Sequence, residues 1–306
     1  MSNITASLVK DLRDRTGAGM MDCKRALVET KADLDAAVSL LREKGLASAA
    51  KKAGRVAAEG LVGVLAVDDA SEAVLLELNC ETDFVAKTDN FISLITSVAN
   101  GLLSSDVPEQ GTADEAADVD VDGSKLADVI TESIANIGEN IGLRRFTRIK
   151  TDGAVGSYVH AGGKIGVLIE VGGATAEHAE VLRSLAMQVA AAFPRYARRE
   201  DVPAADLDNE REIFKNQALA SGKPENIVDR IVEGKIEKYY REICLVEQDY
   251  VRDPDLTIEK LLAQVGKETG AELEVRRFVR YQLGEGIEKK EANLAEEVAE
   301  QIAKGS

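Results

Sequence analysis

Val74-Leu75-Leu76-Glu77-Leu78 recurs further along the chain as Val167-Leu168-Ile169-Glu170-Val171. Each copy follows a turn-forming stretch and an earlier strand candidate. The match continues downstream in order. Phe91-Ile92-Ser93-Leu94 with Val98-Ala99 answers to Leu182-Arg183-Ser184-Leu185 with Val189-Ala190, and Leu143-Arg144-Arg145-Phe146-Thr147-Arg148 answers to Val275-Arg276-Arg277-Phe278-Val279-Arg280. Ordered self-similarity of this kind marks a duplicated structural unit. Each unit reads strand, strand, helix, helix, strand. A hairpin with a returning third strand, backed by helices, predicts an α+β fold with small antiparallel sheets.

The two copies differ where they are interrupted. The second is split at 200–245 by helical patterns around Leu207, Phe214 and Ala218 and around Ile227, Ile231 and Tyr239, flanking Ser221-Gly222-Lys223-Pro224. Two helices around a Gly-Pro turn predict an antiparallel, coiled-coil-type hairpin that projects from the core. The first copy instead holds a stretch rich in Pro, Gly and Asp at 104–124, which reads as a flexible acidic loop.

Outside the repeat, residues 1–45 predict three short helices. Ile4, Leu8 and Leu12 recur at helical spacing until Thr16-Gly17-Ala18-Gly19, and the second helix carries Met20, Cys23 and Leu27. Asp33 is placed to cap the third, whose apolar face is Leu34, Ala37, Val38 and Leu41, with Gly45 read as its stop. Residues 46–58 read as a helical linker. At the other end, 287–303 predicts one more amphipathic helix, with Leu294, Val298 and Ile302 on one side, loosely attached after Gly284-Glu285-Gly286. The expected division is 1–54, 55–153, 154–199 with 246–283, the inserted 200–245, and 284–306.

Bulk composition narrows the function. The 306 residues are 45% hydrophobic and 30% charged, an ordinary globular mixture with only 4% aromatics and no Trp. The 54 acidic and 38 basic side chains leave a net charge of -16, whereas direct binding to a phosphate backbone needs a basic face. Lys51-Lys52, Arg144-Arg145 and Arg198-Arg199 are short clusters that read as solvated faces. A protein partner is favoured over nucleic acid. Cys23, Cys80 and Cys244 form no CxxC pair and read as reduced thiols of a cytosolic protein. No apolar leader and no run long enough to span a bilayer is present in the sequence.

Catalytic signatures are sparse. His160 and His178 are the only histidines, and Gly163-Lys164 has Tyr158 where a phosphate-binding loop needs its first Gly. Neither a metal nor a nucleotide cofactor is expected. Asp118-Val119-Asp120-Val121-Asp122-Gly123 imitates the start of a calcium loop but places Val129 where the twelfth-position Glu belongs. The informative anomaly follows the matched strands. The second copy passes through Gly172-Gly173-Ala174-Thr175, whereas the first passes through Asn79-Cys80-Glu81-Thr82-Asp83-Phe84-Val85 and is longer by two residues. Phe84 reads either as a core residue at the helix start or as an exposed wedge. Met20-Met21 similarly read either as one core and one surface residue or as a paired apolar contact.

Several of these stretches resemble one family. Leu8-Val9-Lys10 through Arg13, with Thr16-Gly17-Ala18-Gly19-Met20-Met21-Asp22-Cys23-Lys24, is similar to the N-terminal signature of elongation factor Ts, and Asn79 to Ala86 is similar to its second signature. Gly156-Ser157-Tyr158, His160, Ile165-Gly166-Val167-Leu168, Ser221-Gly222-Lys223-Pro224, Val232-Glu233-Gly234 and Gly284 to Lys289 continue the likeness in order. Only 104–124 and the final Gly305-Ser306 depart.

The resemblance implies a ubiquitin-associated-like N-terminal bundle. It also implies a cytoplasmic, non-enzymatic exchange factor that ejects GDP from elongation factor Tu. Arg13, Met20 and Met21 would grip the nucleotide domain of Tu. Thr82, Asp83, Phe84 and Val85 would wedge beside its magnesium site, the His160 segment would hold another Tu domain, and the last helix would dock back. A homodimer or a 2:2 complex with Tu stays open. Two rivals stand beside this reading: a partner-binding adaptor or chaperone-like module without exchange activity, and an enzyme using Cys80 or a carboxylate pair.

Overall fold

The computed structural model describes residues 4–222 and 224–288. The N-terminal bundle comprises α1 (Ala6–Thr16), α2 (Met20–Glu29) and α3 (Leu34–Lys52) around Val9, Leu12, Cys23, Ala26, Leu27 and Ala37. Local chemistry sets its boundaries. Thr5 Oγ1 accepts the Leu8 N–H, Gly17 closes α1 in the left-handed region at φ 64°, and Asp33 accepts the Ala36 N–H. Gly45 does not stop α3 as expected. It is buried inside the helix, and a Cβ there would lie 3.3 Å from Ala135 Cβ, so its missing side chain serves a close helix crossing. The linker expected at 46–58 is therefore largely the second half of α3.

The first sheet contains β1 (Glu59–Ala66) and β2 (Glu72–Cys80), followed by the one-turn α4 (Asp83–Ala86) and α5 (Asp89–Ser104). The stretch expected to be a flexible acidic loop is instead folded. It holds β3 (Gln110–Gly111), β4 (Asp120–Val121) and β5 (Ser124–Lys125), with Ala116, Val119 and Val121 buried in the first core. Its acidic side chains face water while these three apolar ones face inward, and Asp122-Gly123, both at positive φ, turn the β4–β5 hairpin. Next come α6 (Leu126–Ile137) and β6 (Gly142–Lys150), giving the antiparallel order β1-β2-β6-β3.

The second sheet repeats the pattern. β7 (Ala154–His160), β8 (Ile165–Gly172), α7 (Ala179–Ala192) and, after the insertion, α10 (Ile258–Thr269) and β11 (Glu274–Gln282) give the order β7-β8-β11. The insertion is the expected hairpin of α8 (Ala204–Ala220) and α9 (Glu225–Ile243), followed by β9 (Asp249–Tyr250) and β10 (Asp253–Thr257). Ala218, Val228, Val232 and Ile236 pack between its helices, and a Tyr196–Cys244 bridge closes its base.

The sheets stack face to face, with α5 and α7 outside. Val74, Leu76 and Leu78 point under α5, while Leu75 meets Leu168, Val155 and Tyr281 between the sheets. Burial on both faces explains why β2 and β8 read as nearly continuous apolar runs rather than as alternating ones, interrupted only by Glu77 and Glu170 within 74–78 and 167–171.

The conserved feature between the copies is a carboxylate gripped by two arginines. Glu77 is fully buried and bonds Arg144 Nη1 at 3.0 Å and Arg145 Nε at 2.7 Å; Glu170 bonds Arg277 Nε at 2.6 Å and Arg276 Nη1 at 3.3 Å. In each copy a register shift in the strand pairing lets consecutive arginines reach one Glu. Arg144-Arg145 is thus no solvated face. Arg198-Arg199 is not one either, since Arg198 pairs with Asp201 and Glu274, and Arg199 with Glu237 and Glu247.

Gly284-Glu285-Gly286 is tied to the first sheet. The Gly284 N–H donates to Glu77 at 2.8 Å, and Arg144 donates to the Glu285 carbonyl. The helix expected over 287–303 and Gly305-Ser306 lie outside the described residues, apart from Ile287 and Glu288.

Candidate functional site

The turn after β2 is fixed from three sides. Thr82 caps α4 by accepting the Val85 N–H at 3.3 Å. Glu139, just past α6, accepts the Glu81 and Thr82 N–H groups, each at 3.0 Å, and the Thr82 hydroxyl at 2.6 Å. Glu81 in turn accepts the Asn140 N–H at 2.6 Å and pairs with Arg55 at 3.3 Å. Ala86 is buried in the first core and Val85 packs against it. These two take the inward positions of the one-turn helix, and Phe84 is left 78% exposed. The core alternative for Phe84 is thereby overturned.

Asp83 beside it is not a free carboxylate. Lys87 donates to it at 2.6 Å, and that bond, with the charges of Lys87 and Lys164, holds its pKa below the ordinary value. Lys164 belongs to the turn between β7 and β8. It pairs with Glu59 at 3.0 Å, and Glu59 lies opposite Cys80 in the β1–β2 ladder. Gly163 accepts the Val62 N–H at 2.8 Å. The His160–Lys164 turn therefore sits at the same end of the molecule as Thr82 to Val85. His160 is exposed, with Nδ1 3.0 Å from the Tyr158 hydroxyl.

The remaining sequence-predicted residues lie on the bundle. Met20 and Met21 are 57% and 59% exposed, because Cys23, Ala26 and Leu27 occupy the inward face of α2. The expectation of one core methionine is corrected. Met21 borders a shallow groove with Lys24, Arg25, Val28 and Glu29. Arg13 is exposed and makes no ion pair among the described residues. Bundle and turn share one support: Asn136 of α6 donates to the Thr16 carbonyl at 3.4 Å, one helical turn before Glu139.

Cys80 cannot serve as a nucleophile in this setting. It is buried, its Sγ lies 3.1 Å from the Thr82 carbonyl, and burial together with the Glu139 charge pushes its pKa up to about 12. Among the described residues, no group of three or more His, Cys, Asp or Glu side chains is placed to hold a metal ion, and no helix is long and apolar enough to cross a membrane. The calcium-like stretch is a hairpin in which Asp118 pairs with Lys125 at 2.6 Å.

Sequence reasoning missed Arg55, Glu81 and Glu139, the residues that make the Phe84 turn rigid. Their bonds join segments far apart in the chain, and Glu139 carries no local signature beyond following the Gly138 helix stop.

Comparison with known proteins adds independent information. The family model described as Elongation factor TS matches residues 81–285. Elongation factor Ts of Clostridium perfringens (strain SM101 / Type A) is 50% identical over 300 residues, covering 97% of this chain and 98% of its own length. Elongation factor Ts of Clostridioides difficile (strain 630) is 47% identical over 305 residues, covering 99% and 100%. The protein of the same name from Halothermothrix orenii is 47% identical over 304 residues, covering 97% of each chain.

Proposed function

This chain belongs to the elongation factor Ts family, and from that premise we propose that it is the guanine nucleotide exchange factor of elongation factor Tu. It acts in the cytoplasm on Tu-GDP, breaks no covalent bond, and takes no nucleic acid or cofactor of its own. The observation that carries this reading is Phe84, an aromatic ring 78% exposed on a turn that Glu139 holds rigid. An exposed Phe on a fixed support is a preorganised wedge, since little ordering remains to be done on binding. Burying it in a partner is worth about 1.5–3 kcal/mol, the size of a hot spot.

Phe84 and Asp83 enter beside the magnesium and phosphate site of Tu, with Thr82 and Val85 setting the turn. Arg13, Met20 and Met21 of the ubiquitin-associated-like bundle grip the nucleotide domain. The His160 turn and the second repeat hold another domain of Tu, and the C-terminal module docks back. The assembly is a homodimer or a 2:2 complex with Tu. The working division remains 1–54, 55–153, 154–199 with 246–283, 200–245 and 284–306.

The test is GDP release from Tu loaded with labelled GDP, followed with catalytic amounts of this protein. Acceleration of release by orders of magnitude is expected. Tight binding to Tu without acceleration would favour the adaptor reading instead.

A further inference from the structure

The matched sequences of the two copies differ in how one cation is paired. Arg148 in β6 and Arg280 in β11 occupy matching positions of the two arginine-rich strands. Arg148 is internally satisfied, pairing with Glu72 and donating to the Ser105 carbonyl. In the second copy the position of Glu72 is Ile165, and at the end of α7 stands Phe193. Arg280 has lost its carboxylate. Its Nη2 donates to Gln282 at 3.2 Å, but Nε and Nη1 are shielded from water with no hydrogen-bond partner. Burial lowers its pKa, opposed only by the charge of Glu285, which is already paired with Arg145.

The cover over this guanidinium is Phe193, whose ring centroid lies 4.2 Å from Arg280 Cζ. Phe193 is itself 54% exposed and sits at φ 50°, a left-handed conformation uncommon for a bulky residue. The pair stands on the face of the second sheet that α7 covers. Register places Tyr158, Val167 and Arg280 in one cross-strand row, and His160, Ile165 and Gln282 in the next. Directly opposed residues share a face, so His160 and Arg280 lie at the two edges of one end of this sheet.

We infer that Arg280 and Phe193 form a second docking point for the partner, one that receives a carboxylate side chain on Arg280 and an apolar contact on Phe193. This rests on the reading of Tu as the partner and extends the His160 contact across the sheet. A carboxylate is the complement because Glu72 fills that role for Arg148 in the other copy, and because a guanidinium with unused donors is best met by an ionised acceptor. Phe193 swings aside, or is itself taken into the partner, as the carboxylate arrives. Pairing is deferred until the complex forms.

The affinity of nucleotide-free Tu is measured for the full chain and for Arg280→Met, Phe193→Ala and Phe84→Ala, with the melting temperature of each free protein alongside. The expected result is at least tenfold weaker binding for Arg280→Met and for Phe193→Ala, mostly through faster dissociation. Arg280→Met should melt no lower than the native protein, because it removes a buried group with unmet hydrogen bonds. Native-like affinity of Arg280→Met and Phe193→Ala, with Phe84→Ala weakened, would overturn the inference while leaving Tu as partner. A clear fall in the melting temperature of Arg280→Met, or its failure to fold, would also overturn it by making Arg280 structural. No binding of the native chain would overturn the Tu reading and this inference together.

Discussion

The two repeats place a Thr-led turn at the same point between sheet and helix, and they finish it differently. In the first, Thr82-Asp83-Phe84-Val85 is clamped by Glu139, which follows α6. In the second, Thr175-Ala176-Glu177-His178 is clamped from within: His178 is buried, accepts the Thr175 N–H at 3.1 Å, and reaches Thr269 at the end of α10 at 3.2 Å. Each turn is therefore anchored to the end of the second helix of its own unit. The fold requires an anchored turn at this point in both halves. It does not require an aromatic ring on its outer corner, where the second copy carries exposed Glu177. What differs between equivalent, equally well-held positions is what function has room to set.

The same comparison, applied to the carboxylates, gives the largest expected effect. Glu77 is fully buried and accepts from two arginines, Asn79 and the Gly284 N–H, whereas Glu170 keeps slight exposure and accepts from two arginines and Thr151. Glu77→Ala removes the buried acceptor shared by two guanidiniums and a backbone N–H, although Arg144 and Arg145 keep their bonds to Glu285 and Gln282, and should destabilise by about 3–5 kcal/mol. Glu170→Ala should lose less, because water reaches its site. Burial pushes both carboxyls up, but the Gly284 N–H with Arg144 and Arg145 for Glu77, and Arg277 with Thr151 for Glu170, outweigh it, so both pKa values lie below the ordinary 4.5. Their stabilising contribution is present above that value and is lost as pH falls through the folded-state values. Denaturant melts between pH 7 and pH 3 should show the native protein weakening on the acid side, with a shallower slope in either mutant. Equal losses from the two substitutions would break the asymmetry between the copies.

Next in size is the corner itself. Phe84→Ala should lower GDP release at least tenfold with no change in melting temperature, since the ring touches no core. Glu177→Phe, which places the same ring on the other turn, should not restore the loss. Rescue by Glu177→Phe would mean that any exposed aromatic suffices and that position on the turn is unimportant.

Sequence carried this architecture wherever local chemistry was decisive. Asp33 starts α3 through its side chain and Gly17 ends α1 because it lacks one, and the duplicated strands are legible because a strand buried on both faces is apolar almost throughout, with a single Glu at the matched position of each copy. Gly45 was ambiguous in kind, since the absence of a Cβ serves a helix stop and a close crossing equally well. At 104–124 the acidic residues hid the three inward positions Ala116, Val119 and Val121. Arg144-Arg145 looked solvated although its partner was visible, because the Glu and the Arg pair recur together in both copies. Whether Phe84 faced in or out depended on Val85 and Ala86 taking the core positions first. Glu139 was not legible at all, because its three bonds to the turn close only in the folded chain.

A smaller effect follows from that clamp. Glu139→Ala removes the acceptor of two backbone N–H groups and one hydroxyl, all part-buried, and should loosen the turn without unfolding the first core. Amide exchange at Glu81 and Thr82 should quicken, and GDP release should fall about threefold to tenfold, less than for Phe84→Ala because the ring is still present. Unchanged amide protection would show that Arg55 and Asn140 hold the turn without Glu139.

The smallest effect concerns the charge beside the ring, where the first turn has Asp83 and the second has Ala176. A carboxylate next to the partner's magnesium could act by competing for the ion or by repelling the phosphates, and either action needs Asp83 to be available. In the free protein it is not, because Lys87 holds it at 2.6 Å. An exposed ion pair of this kind is screened by water and adds little to stability, so Lys87 is easily displaced. Lys87→Met should therefore leave the melting temperature nearly unchanged and raise GDP release by no more than about twofold, because so weak a pair restrains Asp83 little. Asp83→Ala should lower release about twofold to threefold if the carboxylate acts at the ion, a much smaller loss than that of Phe84→Ala. Because the Lys87 hydrogen bond keeps the Asp83 pKa below its ordinary value in the native protein, and an ordinary carboxylate is also ionised there without it, neither result should depend on pH between 6 and 8. Measuring release by the native protein and the two variants across magnesium concentrations decides between the actions. A deficit of Asp83→Ala that disappears when magnesium is depleted assigns the carboxylate to the ion. A deficit independent of magnesium assigns it to repulsion of the phosphates, and no deficit at any magnesium concentration leaves Phe84 as the single group by which the first turn surpasses the second.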